Sequence, residues 1–130
     1  MVLEFFIALI SFLILDALWL GFVMKSFYKE ALGVLIKTSP NLFFALITYL
    51  ILIFGIVNFV IPKAENSIFK ALLFGALFGL VVYGVYDFTN LAVIKDYPLK
   101  LAVVDWIWGM VVCGLVSSIT VYFLKLFGKL

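Results

Sequence analysis

The sequence predicts an all-α polytopic membrane protein, with four transmembrane helices in an up-down bundle. Three observations lead there. Of its 130 residues, 68% are hydrophobic and 12% charged, with a mean hydropathy of +1.35; a soluble domain is about 45–50% apolar and about 25% charged. A chain this short cannot hide so much apolar surface in one water-soluble core. Its apolar residues also fall into four runs, each long enough for the about 20 residues that cross a hydrocarbon layer as a helix. The runs do not alternate in polarity, as the strands of a membrane barrel must.

The first run spans residues 3–24. A cleaved leader has a positive start and a short apolar stretch. Here Glu4 stands at the start and Asp16 interrupts the run, so the stretch is expected to be a true transmembrane helix. The connection that follows is the longest, and its residues 26–36 suit a short interfacial helix with Phe27, Tyr28, Leu32 and Leu35 on one side. Ser39-Pro40-Asn41 reads as a helix start, since Pro is tolerated in a first turn. The second run spans 41–61, the third 68–94 and the fourth 101–124, with short connections at 62–67 and 95–100. All four form one domain, residues 1–130.

Four spans place both termini on one side and the first and third connections on the other, the loop side. Lys25, Lys29, Lys37, Lys95 and Lys100 lie on the loop side, and Lys63, Lys70, Lys125 and Lys129 on the other. Five against four gives little direction under the positive-inside rule. That near balance permits insertion both ways and, with the small volume four helices enclose, a homodimer, antiparallel included.

Composition also excludes chemistry. The chain has no His, hence no Ser-His-Asp arrangement and no imidazole-based metal or haem site. It has no Arg and no basic block suited to nucleic acid. Cys113 has no second cysteine to pair with and reads as a packing residue.

Three acids stand a turn or more inside the runs. Counted from the loop-side ends, Asp16, Asp87 and Asp105 lie about 12, 10 and 6 Å deep at 1.5 Å per residue. The first and third helices run toward the loop side and the fourth runs away from it. All three carboxylates therefore fall in the same half of the membrane. An Asp at the centre of a span costs about 2.5–3.5 kcal/mol on insertion scales and is expected to face the bundle interior or a wet cavity. Helical spacing agrees: Gly75, Gly79, Tyr83, Asp87 and Asn90 share one stripe, and Asp105, Trp108, Gly109, Cys113 and Ser117 another. Gly75 and Gly79 form a small-residue pair suited to close helix contact. The expected pocket has Asp16, Asp87 and Asp105 as its acids and Trp19, Trp108, Tyr83, Tyr86 and Asn90 around them. Asp87 is its expected central group, and Asp105 the first charge an incoming ligand meets. There is also an internal echo: Asp16 precedes Trp19, and Asp105 precedes Trp108, by three residues on helices of opposite direction.

Asp16-Ala-Leu-Trp19-Leu-Gly21, Tyr28, Ser39-Pro40-Asn41, Tyr83-Gly-Val-Tyr86-Asp87-Phe-Thr89-Asn90-Leu-Ala92, Tyr97-Pro98 and Asp105-Trp-Ile-Trp108-Gly109 form a recognisable set. By these motifs, over nearly its whole length, the chain resembles the small bacterial membrane proteins catalogued as domain of unknown function 2177. The Tyr-Asp-x-Thr-Asn-Leu-Ala segment is the most specific part. Phe88 stands where Leu is expected, and Tyr97 where Trp is. The resemblance implies a prokaryotic four-helix protein, multi-pass in the cell (inner) membrane, of unassigned activity.

Three function classes follow. The first binds or transports a cation or cationic small molecule, through carboxylate attraction and cation–π contacts worth about 0.5–2 kcal/mol. The second is an intramembrane enzyme acting on a lipid or isoprenoid, with the three Asp holding Mg²⁺ or working as acid and base. Against it, the sequence has no Asp-Asp-x-x-Asp run and no Arg to hold a phosphate. The third is a structural or accessory subunit in which the polar groups join helices. The residues name no cofactor. The partners they imply are the lipid bilayer and a small ligand.

Overall fold

A computed structural model of the chain describes residues 2–23, 27, 30 and 41–130. Among these, four helices are long and apolar enough to cross a membrane: α1 (Val2–Phe22), α2 (Leu42–Ala64), α3 (Ile68–Val93) and α4 (Leu99–Leu126). No strand occurs among the described residues. The all-α membrane architecture expected from composition is therefore the one observed. Apart from Phe27 and Glu30, both helical, the interfacial helix expected over 26–36 lies outside the described residues, as do the start at Ser39-Pro40, Tyr28, and Lys25, Lys29 and Lys37.

Each terminus has a local cause. Asn41 caps α2, its Oδ1 accepting from the backbone N–H groups of Phe43 (3.1 Å) and Phe44 (3.4 Å). This satisfies donors that the first helical turn leaves without partners. Pro62 does not end α2 where the sequence suggested, because it sits at the start of a closing 3₁₀ turn, Pro62–Ala64, where its missing N–H costs nothing. The chain then reverses through Glu65 and Asn66, both left-handed. Ser67 caps α3 by accepting from Lys70 N–H at 3.1 Å. Asp96, also left-handed, and Pro98 form the turn into α4. α3 and α4 are regular throughout. By contrast, α1 passes into a π-helical turn at Trp19–Val23, and α2 does so at Ile56–Val60.

α3 and α4 form the tightest pair, antiparallel and joined along a glycine seam. A Cβ on Gly75 would lie 2.6 Å from Ser117 Oγ and 2.9 Å from the Gly114 Cα. One on Gly79 would strike the Gly109 carbonyl oxygen and lie 2.9 Å from Met110 Cα. The backbones therefore touch, as the small-residue spacing predicts. Further along, Tyr83 lies directly over Gly109, and Trp106 lies along α3, donating from Nε1 to the Leu80 carbonyl at 2.9 Å. The buried hydroxyls of Ser117 and Thr120 donate to their own helix, to Cys113 and Val116 carbonyls at 2.7 Å each. Neither is left wanting a partner in lipid.

The apolar core is uneven. Phe12, Ile53, Ile56, Val57, Val60, Val112, Val116 and Leu124 are all buried in one cluster. On α2 the buried positions begin at Leu52, while Leu42, Phe43, Phe44 and Leu46 are exposed. Helix α2 thus packs through its C-terminal half. The bundle is filled at the terminal side and looser at the loop side, where the acids lie. Large apolar side chains such as Phe22, Leu42 and Phe69, each more than 70% exposed, line the outside. They suit lipid and would be a liability in water.

Candidate functional site

The looser half holds a cavity of about 570 Å³. α1 lines it with Asp16, Trp19 and Leu20, α2 with Thr48, Ile51 and Leu52, α3 with Val82, Tyr83 and Tyr86, and α4 with Asp105 and Trp108. The unequal packing of α2 accounts for its position, since α2 has no buried side chain on the loop side of Leu52.

Asp16 is the best-fixed group. Tyr49 donates its phenol O–H to Oδ2 at 2.8 Å, and Trp108 donates its indole N–H to Oδ1 at 3.3 Å. One carboxylate on α1 therefore ties in both α2 and α4. Tyr49 is seated against the Phe12 ring, with centroids 5.4 Å apart. The Trp19 and Trp108 rings stack, centroids 4.3 Å apart and planes within 2° of parallel. The two tryptophans of the sequence echo thus meet across the cavity wall. The echo does not extend to their hydrogen bonds. Trp108 reaches Asp16, whereas the Trp19 Nε1 is buried with no partner among the described residues.

Asp87 lies elsewhere. It is fully buried between α3 and α4 and is not among the residues lining the cavity. Neither of its carboxyl oxygens receives a hydrogen bond from a described donor. Its neighbour is a second carboxyl, that of Asp105, which does line the cavity. Asn90, one turn past Asp87, also does not line the cavity; its side chain neighbours Tyr97 in the α3–α4 connection. Burial raises the Tyr97 phenol above its ordinary value, and the Asn90 hydrogen bond opposes that rise.

The structure thus brings Asp16, Trp19, Tyr83, Tyr86, Asp105 and Trp108 of the expected set to one cavity, and leaves Asp87 and Asn90 out of its lining. Thr48 lines the cavity and Tyr49 bonds Asp16 on its wall, although neither was in the expected pocket. The signal was present: Asn41, Ala45, Thr48 and Tyr49 follow helical spacing at the loop-side end of α2. Among the described residues, no three acidic or cysteine side chains converge closely enough to hold a metal ion. Asp16, Asp87 and Asp105 are accordingly not one ligand set. What the arrangement offers is an aromatic box with two carboxyls on its wall and an unpartnered indole N–H beside it.

Among curated proteins and among solved structures, none matches the chain significantly. A family model described as predicted membrane protein (DUF2177) matches residues 1–122. With nearly its whole length so matched and four spanning helices in place, the chain belongs to the DUF2177 family of multi-pass membrane proteins.

Proposed function

We propose that the protein binds, and carries across the membrane, an organic cation held in the loop-side cavity. The observation that supports this most is the cavity itself, whose wall combines Asp16 and Asp105 with the stacked Trp19–Trp108 pair and with Tyr83 and Tyr86. Its volume of about 570 Å³ lies within the about 300–1,000 Å³ of small-molecule sites. A bare metal ion would need converging oxygen ligands, which the described residues do not supply. A cation with apolar substituents gains from both features of the wall. Carboxylates attract its charge, and ring faces add about 0.5–2 kcal/mol.

The hydrogen bonds at Asp16 favour a second, structural role for that residue, since they join three helices. The two roles make different predictions. Tetraphenylphosphonium binding to the protein in lipid nanodiscs, read by quenching of tryptophan fluorescence, is expected to saturate. A unit charge at about 5 Å in an effective dielectric near 20 contributes about 3 kcal/mol, so Asp16→Asn is expected to weaken binding at least tenfold. A neutral probe of similar shape is expected to bind both forms alike. If tetraphenylphosphonium does not bind, or binds Asp16→Asn as well as wild type, the cation reading fails. All four helices of one chain line the cavity, so the reading needs no second copy; cysteine labelling of a loop and a terminus from both sides tests the homodimer and its orientation.

A further inference from the structure

We infer that Asp87 and Asp105 are a proton-sharing carboxyl pair that couples the cavity to a proton, so that seating a cation beside Asp105 expels the proton the pair holds. This rests on the cation reading and adds its coupling ion. The starting point is Asp87, which is fully buried and has both oxygens unserved by any described donor. Polar groups inside a membrane protein need internal partners, because the hydrocarbon offers none. The neighbour that α4 supplies is another carboxyl. Two carboxylates cannot satisfy each other, since both only accept. A carboxylic acid and a carboxylate can, and like charges in contact do not both ionise.

Position gives this pair its use. Asp105 reaches the cavity, whereas Asp87 is closed off from it. Asp105 is therefore the face of the pair that a ligand meets, and Asp87 keeps the proton away from the ligand. The glycine seam of the same two helices fixes their spacing, because backbone atoms already touch at Gly75 and Gly79.

The other ionisable groups around the pair are consistent with this division. Tyr83 and Tyr86 lie on the same helix as Asp87, and Tyr97 comes from the α3–α4 connection. Asp16 of α1 and Tyr49 of α2 lie near Tyr83, hydrogen-bonded to each other. Lys100 of α4 holds its ammonium over the Phe27 ring at 5.5 Å. The exchange balances. The O–H bond of the pair breaks, its electrons stay on the carboxylate oxygen, the proton passes to water, and the incoming monovalent cation replaces its charge.

One proton released per cation makes cation affinity rise by about tenfold per pH unit while the pair holds its proton. Tetraphenylphosphonium titrations of the full chain in nanodiscs across a pH series are expected to show that rise. In Asp87→Asn, which keeps the shape without the titrating proton, the profile is expected to flatten. Infrared spectra of wild-type protein carrying ¹³C-labelled aspartate are expected to show the carbonyl stretch of a protonated carboxyl that cation binding removes. Binding that does not vary with pH, or an unchanged slope in Asp87→Asn, overturns the coupling and leaves the cation reading standing. No binding at any pH overturns both. Absence of the protonated band in wild type overturns the pair even if Asp87→Asn fails to fold.

Discussion

Replacing Gly79 by Ala tests whether α3 and α4 are held by backbone contact. The new Cβ would meet the Gly109 carbonyl oxygen and lie 2.9 Å from Met110 Cα, where ordinary contact begins at 3.4 Å. Backbone atoms cannot rotate away, so the helices must part by at least about half an ångström. Gaps of about 0.5–1 Å forfeit a quarter to a half of each dispersion contact they open. Overpacking of this kind typically costs about 1–3 kcal/mol. Against that, Ala favours a helix over Gly by up to about 1 kcal/mol. Gly21→Ala separates the two effects, because no atom lies within 4 Å of its Cβ position. Reversible unfolding by sodium dodecyl sulfate in mixed bicelles, followed by circular dichroism, is expected to place Gly79→Ala about 2–3 kcal/mol below Gly21→Ala, toward the upper part of the overpacking range. Equal stability of the two variants would refute backbone contact as the feature that seats α3 on α4.

Tyr49→Phe removes the donor to Asp16 Oδ2; the same unfolding assay is expected to show a loss of about 0.6 kcal/mol and no more than about 1.7, the range for hydrogen bonds between membrane helices. Trp108→Leu removes a hydrogen bond to Asp16 and one aromatic partner of the stack; tetraphenylphosphonium affinity is expected to fall roughly two- to thirtyfold, the equivalent of about 0.5–2 kcal/mol of cation–π attraction. The Tyr97 phenol, raised by burial above its ordinary 10.0, favours the folded state fully below that pH and loses its contribution as pH rises through the raised value. Thermal melts above pH 10 are therefore expected to fall less steeply in Tyr97→Phe than in wild type.

Much of the fold was legible because a membrane span advertises itself by length and polarity. The bounds shifted where local chemistry intervened, as at Pro62, which continues α2 through a 3₁₀ turn. The glycine seam was legible too, from spacing alone. Depth along the helices placed Asp16, Asp87 and Asp105 in one half of the membrane, but depth carries no information about rotation between helices. The inward stripe of α3 holds both Tyr83 and Asp87, and the structure turns Tyr83 toward the cavity while burying Asp87 against α4. Tyr49 shows the complementary gap. Its role depends on Asp16, 33 residues away on another helix, and no local pattern encodes that meeting. The π-helical turns at Trp19–Val23 and Ile56–Val60 had no signal in the apolar runs, because a π turn and an α turn bury the same kinds of residue.

Those two turns divide the molecule mechanically. α3 and α4 are regular along their whole length and interlock through backbone atoms. α1 and α2 each contain a wider turn, which is where helices bend. At the level of the cavity, α1 holds to α4 through ring stacking and an indole–carboxylate bond, and to α2 through a phenol. Compliance is therefore unequally shared: one pair of helices is a stiff spar, the other a pair of jointed arms. A change in cavity volume would then be paid out as motion of α1 and the loop-side half of α2 against a stationary α3–α4 wall, and spin labels on the arms would report it while a label pair across the glycine seam kept its distance.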